Sequence, residues 1–319
     1  MKVAAFSIKP FEKSYLAKAN IKNHDISLIP DQLNIETAKY AKGSEAVIIF
    51  TNDNASENVI EILAGYGIKY IATRSVGTDH INKNAAKKKG IQIANVPNYS
   101  PEAIAEHTVA LALSLSRCLI LSNRNFQHFD FRLDQLVGFN FFGKTVGLIG
   151  FGHIGHAVAN IFNGLGCKVL VYDLDINEDI KGIYPVTLDE IYANADIISL
   201  HLPLTAVSKF MINATSIAKM KKGVMLINTS RGGLIKTNEV VAALKSGQIG
   251  YLGMDVYEFE KELFFEDHST DPEKDGLLKE LISLPNVLIT PHQAFLTVEA
   301  LQQIFDQTIK NIDTWEESE

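Results

Sequence analysis

Two doubly wound α/β units, each a parallel sheet with helices on both faces, are the predicted fold, and three observations predict them. Short β-branched runs alternate with helical patterns over the first hundred residues. The alternation stops at Asn95-Val96-Pro97-Asn98-Tyr99-Ser100-Pro101 and gives way to a long apolar helix. A second alternating set begins at Lys144. Such alternation implies parallel strands, because a parallel pair needs a crossover that a helix usually supplies.

Taken in order, the predicted strands of the first unit are Val3–Phe6, Ile26–Ile29, Ala46–Phe50, Tyr70–Thr73 and Ile91–Ala94. Helical patterns over Ser56–Gly65 and Asn82–Lys89 lie between them. The long helix is expected over about Pro101–Ser122, with Pro101 in its first turn, Ser100 as cap and Glu102 and Glu106 at its positive end. The second unit offers Thr145–Ile149, Lys168–Tyr172, Ile197–Leu200, Val224–Asn228, Tyr251–Met254 and Val287–Thr290. An amphipathic helix over about Ala294–Trp315 closes the chain, and Glu316–Glu319 are expected to fray.

Composition narrows the function. The 319 residues are 46% hydrophobic and 21% charged, which suits a globular protein with two cores. A net charge of -7 gives no electrostatic footprint for nucleic acid or an anionic membrane. The opening MKVAAFSIKP is too briefly apolar for a signal peptide. The apolar run Ala103–Leu121 carries Glu106, His107 and Arg117, so it reads as a buried or inter-domain helix and not a membrane span. The two cysteines, Cys118 and Cys167, read as core thiols, and no metal-ligand spacing occurs. A cytoplasmic location is the expectation.

The most specific local motif is Gly150-Phe151-Gly152-His153-Ile154-Gly155. It follows one predicted strand and opens a helix, and the next strand ends in Asp173. That context reads as a dinucleotide fingerprint. Gly150 would make the tight turn, Gly152 would admit the pyrophosphate, and Gly155 would let helix and strand pack. The backbone N–H groups of His153 and Ile154 sit at the helix start, where anions bind. The His153 side chain is incidental in this reading. Asp173 would take the ribose hydroxyls and repel a 2′-phosphate, so NAD is the expected cofactor.

Ligands in open parallel sheets bind beyond the carboxyl ends of the strands. Three charged groups follow strands of the second unit: Arg231, Asp255 with Glu260 five residues on, and His292. These groups suit reduction of a 2-keto acid. Arg231 can grip the carboxylate with its planar fork and polarise the ketone. His292 can give the ketone oxygen its proton, and a neighbouring carboxylate would orient the ring and favour the imidazolium. Within Glu258-Phe259-Glu260-Lys261-Glu262, pattern alone does not choose between Glu258, Glu260 and Glu262. The plainer readings are a surface ion pair for Arg231, a structural histidine for His292 and a solvated charge run for the glutamates.

Several segments together resemble the D-isomer-specific 2-hydroxyacid dehydrogenases, and most closely their fermentative D-lactate branch. They are Val96–His107, Gly143–Gly147 leading into the glycine loop, Asn228–Gly232, Gly253–Glu258 and Pro291–Thr297. The resemblance implies that the catalytic carboxylate is Glu260. It also implies that Asp255 faces the nicotinamide carboxamide, that Thr229 and Ser230 lie along the cofactor, and that the backbone of Val76 and Gly77 binds the substrate carboxylate. Tyr99 and Phe295 then line the substrate pocket. After Gly77 the chain reads Thr78-Asp79-His80-Ile81-Asn82, where the family more often has an Asn-Ile-Asp ending.

The family fold implies a Rossmann cofactor domain, residues 101–292, inserted in a discontinuous flavodoxin-like substrate domain, 1–100 with 293–319. Hinge closure would bring Val76, Gly77 and Tyr99 onto the cofactor cleft. A dimer or a higher even homo-oligomer is expected. The stretch between Glu260 and His292 resembles the lactate-type enzymes, and the lack of a regulatory domain after residue 319 disfavours the phosphoglycerate type. Pyruvate is the first expected substrate. A branched or aromatic keto acid is the alternative, and a non-catalytic NAD(H)-sensing protein the alternative of another class.

Overall fold

The computed structural model describes residues 1–97, 99–176, 180–271 and 274–318. In chain order its first part runs β1 (Lys2–Ala5), α1 (Lys13–Ala19), β2 (Asp25–Leu28), β3 (Ala46–Ile49), α2 (Glu57–Gly65), β4 (Tyr70–Thr73), α3 (Lys83–Lys88) and β5 (Gln92–Ala94). Then come α4 (Pro101–Ser116), α5 (Leu119–Gln127), β6 (Thr145–Ile149), α6 (His153–Gly164), β7 (Lys168–Tyr172) and β8 (Ile183–Pro185). The rest is α7 (Leu188–Asn194), β9 (Ile197–Leu200), α8 (Ala214–Ile217), β10 (Val224–Asn228), α9 (Thr237–Ser246), β11 (Ile249–Met254), α10 (Gly276–Ser283), β12 (Val287–Ile289) and α11 (Val298–Ser318).

The chain forms two compact units, one of Met1–Ser100 with Leu296–Glu319, the other of Pro101–Phe295. The first holds a five-stranded sheet in the order β2-β1-β3-β4-β5, with every described pairing parallel. This is the flavodoxin-like order. Its core is Phe6, Val47, Ile49, Val59, Leu63 and Ile71 with their neighbours. Trp315 of α11 stacks on Tyr70 of β4 at 4.7 Å between ring centroids, and so fastens the last helix to the sheet.

The second unit holds seven parallel strands in the order β12-β11-β10-β9-β6-β7-β8. Read from β8, this is the Rossmann order with one strand added at the far edge. Apolar residues alternate between its faces. Val146, Leu148 and Ile227 pack with α4 and α6, whereas Ile149, Ile198 and Leu226 pack with α7 and α9. Order reverses between β6 and β9, and ligands bind outside that crevice in such sheets.

Most predicted strands lie where expected, and two differences have a physical reason. The short edge strand β8 ends in Pro185 and is too brief to show a period. The expected helix over Pro101–Ser122 is broken at Cys118, whose φ is +50°. The Phe139 N–H donates to the Ser116 carbonyl at 3.1 Å, and Gly138 packs so closely there that a Cβ would overlap that oxygen. The carbonyl that a continuing helix would use is therefore taken. Cys167 is buried as expected, whereas Cys118 is only half-buried at the break, and both are free thiols. Among the described residues no single helix is long and apolar enough to cross a membrane.

Candidate active site

The glycine loop sits at the point of order reversal. Gly150 has φ +100°, and a Cβ there would overlap the carbonyl of His201 at the end of β9. A Cβ on Gly155 would overlap the Gly150 carbonyl. Gly152 is the extended N-cap of α6 and faces open space, so its backbone is accessible to a ligand. His153 is exposed beside it and Ile154 half-buried, at the first turn of α6. The Asp173 carboxylate accepts the N–H of Phe151 and the N–H of Leu174, each at 2.6 Å. Loop and carboxylate thus lie together: an accessible helix N-terminus that can take an anion, beside a carboxylate that can accept hydrogen bonds.

His201 was not among the predicted residues, yet it stands at this crevice. Its ring exchanges a hydrogen bond with the Ser199 hydroxyl at 2.8 Å, and Nδ1 is buried without a partner. Burial pushes the imidazole down to about 3, so it is neutral at physiological pH. The available signal was its place directly after a central parallel strand.

Arg231 is presented by a loop that Asn228 organises. The fully buried Asn228 amide accepts the Ser230 N–H at 3.1 Å and donates to the Arg231 carbonyl at 2.9 Å. The Ser230 hydroxyl donates to Leu200 at 2.8 Å, and the Thr229 hydroxyl meets Thr108 of α4 at 2.8 Å. Both hydroxyls predicted along the cofactor are therefore engaged within the protein. The half-buried Arg231 guanidinium donates to the Ser230 carbonyl at 2.7 Å. Gly232 lies against Tyr257 so tightly that a Cβ would overlap its backbone. That approach brings the Arg231 loop beside the segment that carries Glu260.

Of the two glutamates whose side chains are described, Glu260 is the one beside His292. The Nδ1 of His292 lies 2.9 Å from Oε1 of Glu260, and the other Glu260 oxygen accepts the Tyr257 N–H at 2.8 Å. Glu258 instead accepts the Thr237 N–H at the start of α9. The Glu262 side chain lies outside the described set. His292 and Glu260 keep 17% and 22% of their side chains exposed, so the pair is shielded but reachable. His292 holds a left-handed backbone, φ +55°, and its N–H donates to Thr290. Phe265 lies 6.0 Å from the imidazole, centroid to centroid.

Asp255 is held by the protein from several sides. It is wholly buried, and its oxygens accept the Thr290 hydroxyl at 2.5 Å and the N–H groups of Gln293 and Ala294 at 2.8 Å. His107 of α4 adds a contact at 3.5 Å and also meets Thr290 at 2.9 Å. The carboxylate therefore stands behind the His292 segment and holds it. His107 and Thr290, which the sequence reading did not single out, join this network. Phe295 is buried at the end of the same unit.

In the first unit, Val76 is exposed and Gly77 half-buried on the loop after β4. Their carbonyls accept the Asn95 amide and the Ser75 hydroxyl, each at 2.7 Å. Among the described residues neither of their N–H groups has an acceptor. Tyr99 is half-buried near the end of that stretch.

Comparison with known proteins bears on this arrangement. Residues 109–294 match the family model for the D-isomer specific 2-hydroxyacid dehydrogenase, NAD binding domain. A 2-hydroxyacid dehydrogenase homolog of Haemophilus influenzae is 46% identical over 98% of this chain and 95% of its own length. The D-lactate dehydrogenase of Escherichia coli is 41% identical over 100% of this chain and 98% of its own. Among solved structures, the pyruvate reductase of Chlamydomonas reinhardtii superposes with a TM-score of 0.92 at 43% identity, over 99% of this chain and 96% of that one. With the glycine cradle, Asp173 and the Glu260–His292 pair in one unit, the chain belongs to the D-isomer-specific 2-hydroxyacid dehydrogenases and is an NAD-dependent enzyme of that family.

Proposed function

We propose that the protein reduces a small 2-keto acid, pyruvate first, to the D-2-hydroxy acid. The observation that carries this is the 2.9 Å contact between Glu260 and Nδ1 of His292. With Nδ1 engaged, Nε2 is the nitrogen left to serve substrate. Bound NADH supplies the hydride. His292 delivers a proton from Nε2 to the ketone oxygen as the hydride reaches the carbon, and takes it back in the reverse reaction. Glu260 holds the ring in orientation and stabilises the imidazolium. Arg231 grips the substrate carboxylate with two parallel hydrogen bonds, as only a guanidinium can. The N–H groups of Val76 and Gly77 serve the same carboxylate, and Tyr99 and Phe295 bound the side-chain pocket. Asp173 and the N-terminus of α6 hold the dinucleotide. Pyruvate is favoured because relatives spanning the whole chain include a D-lactate dehydrogenase and a pyruvate reductase.

The test is consumption of NADH with pyruvate, with 2-ketoisocaproate and phenylpyruvate beside it, a stereospecific assay of product, and His292→Ala as control. Turnover of pyruvate to D-lactate that the substitution abolishes supports the whole reading. Preference for a larger keto acid keeps the mechanism and moves the substrate. NADH binding without turnover of any keto acid overturns it in favour of a sensor.

We also infer a homodimer. Helix α5 has no buried residue, and Phe129, Phe131, Leu133, Val137 and Phe142 follow it exposed, which is a large apolar strip for a monomer. A monomer by sedimentation at micromolar concentration would sink this. Two free thiols suit a reducing compartment, the cytoplasm.

A further inference from the structure

The largest fully buried side chain in the protein is an arginine, Arg74, 1% exposed. It is the first residue after β4, and the loop bearing Val76 and Gly77 starts from it. A charge so placed needs partners to offset its lost hydration. Its Nη1 forms an ion pair with Glu12, itself 4% exposed. Its Nη2 donates to the carbonyls of Phe6 at 2.9 Å and Ser7 at 3.2 Å. The guanidinium lies over the rings of Phe50, at 5.1 Å, and Phe305, at 5.7 Å. One planar group thus ties together the ends of β1 and β3, the segment before α1, and helix α11. Asp53 completes the cluster by accepting the Ser7 hydroxyl at 2.8 Å and the N–H groups of Leu33 and Phe50 at 2.6 Å.

Beyond Arg74 the loop is held from its other side. The Arg74 N–H donates to Ile49, and the Ser75 carbonyl accepts from Val96. The Ser75 hydroxyl meets Thr73 at 2.8 Å and donates to Gly77 at 2.7 Å. These bonds hold the loop while, among the described residues, leaving the N–H groups of Val76 and Gly77 without an acceptor. Two unpaired donors on a rigid turn are a binding site for an anion. We propose that Arg74, locked by Glu12, is a positioning residue for substrate: it sets the aim of the Val76 and Gly77 N–H groups at the keto acid carboxylate without touching the substrate itself. This rests on the reading that these N–H groups serve that carboxylate. The ion pair with Glu12 leaves Arg74 little net charge to offer at a distance. Its contribution is geometric, through the fork that reaches Glu12 and two carbonyls at once.

The experiment compares Arg74→Lys, which keeps the charge and loses the fork, with Phe305→Leu, which removes one ring from the guanidinium, and with Val76→Pro, which removes one donor. KM for the keto acid turned over fastest, kcat, and NADH affinity by fluorescence are measured for each. Arg74→Lys is expected to raise KM about tenfold or more and lower kcat less than about threefold, since Lys cannot reproduce a planar multidentate contact. NADH affinity should stay within twofold of wild type, and Phe305→Leu should raise KM by a smaller factor. A merely structural role would lower the active fraction, and so kcat, and leave KM alone. Should Arg74→Lys not fold, Phe305→Leu decides by the same split. If Val76→Pro raises KM while Arg74→Lys and Phe305→Leu leave it within twofold, the positioning role is overturned. If Val76→Pro leaves KM unchanged as well, the carboxylate reading of the loop fails with it.

Discussion

Two arginines follow central parallel strands of this protein, and they have opposite fates. Arg74 leaves β4 and is sealed in its unit with Glu12 and two backbone carbonyls. Arg231 leaves β10 and keeps a half-buried guanidinium on a loop shaped by Asn228. Position after a strand therefore does not separate a sealed charge from a reachable one. What separates them is exposure: the Arg74 guanidinium is sealed among a carboxylate, two carbonyls and two rings, whereas that of Arg231 is half-buried. Glu260 and His292 likewise keep part of their side chains exposed, so all three groups of the proposed mechanism remain reachable.

The comparison can be broken in four places. The largest effect is expected at the working end, where His292→Ala should lower kcat by about 10³-fold, the scale of positioned acid–base catalysis. Its urea midpoint should stay near wild type, and a large loss of stability would make His292 a structural residue instead. Next, Glu12→Gln leaves the Arg74 guanidinium buried without its counter-charge, and breaking a buried pair in this way costs about 3–5 kcal/mol. Urea unfolding would show it, and a change under 1 kcal/mol would mean that Asp53 and the carbonyls suffice.

Asp53 gives the third test, through pH. Burial raises its carboxyl above its ordinary value of 3.8 to about 6, against the opposing pull of three hydrogen bonds and Arg74. The folded state therefore holds the proton more tightly than the unfolded one. Its contribution to stability is full below pH 3.8 and is lost as pH rises through 6. The shift corresponds to about 3 kcal/mol. The stability difference between wild type and Asp53→Asn should shift against wild type by about 2 kcal/mol of this between pH 4 and pH 6.5. A flat difference would place the Asp53 titration elsewhere. The smallest effect is expected for Arg231→Lys, which keeps the charge: KM should rise about tenfold, the value of one charge-assisted hydrogen bond, with stability within about 0.5 kcal/mol of wild type.

Much of the fold was legible because each unit repeats one pattern whose period shows in short β-branched runs. Thr145–Ile149, Lys168–Tyr172 and Val224–Asn228 were readable to the residue, since a buried parallel strand is apolar throughout and stops at polar punctuation. The break at Cys118 was not, because its cause is a hydrogen bond from Phe139, distant in sequence. In the site, Arg231 and His292 were visible from chemistry and placement. Pattern alone left Glu258, Glu260 and Glu262 open in one charged run; the family resemblance pointed to Glu260, and the structure places that carboxylate beside His292. Arg74 obeyed the same placement rule as Arg231 and went unremarked, because burial of a charge is decided by residues far along the chain.

Asp255 has a consequence for how such an enzyme can change over evolution. Its carboxylate joins the end of β11 to Thr290, Gln293 and Ala294, and Glu260 reaches His292 across the same gap. The excursion between Leu263 and Leu284 is thereby clamped at its stem. Lengthening a flexible loop costs little, about 0.6 kcal/mol for each doubling. Insertions or deletions can thus enter its polar turn around Asp267–Asp271, clear of α10 and the buried Phe264 and Leu281, while the imidazole keeps its place.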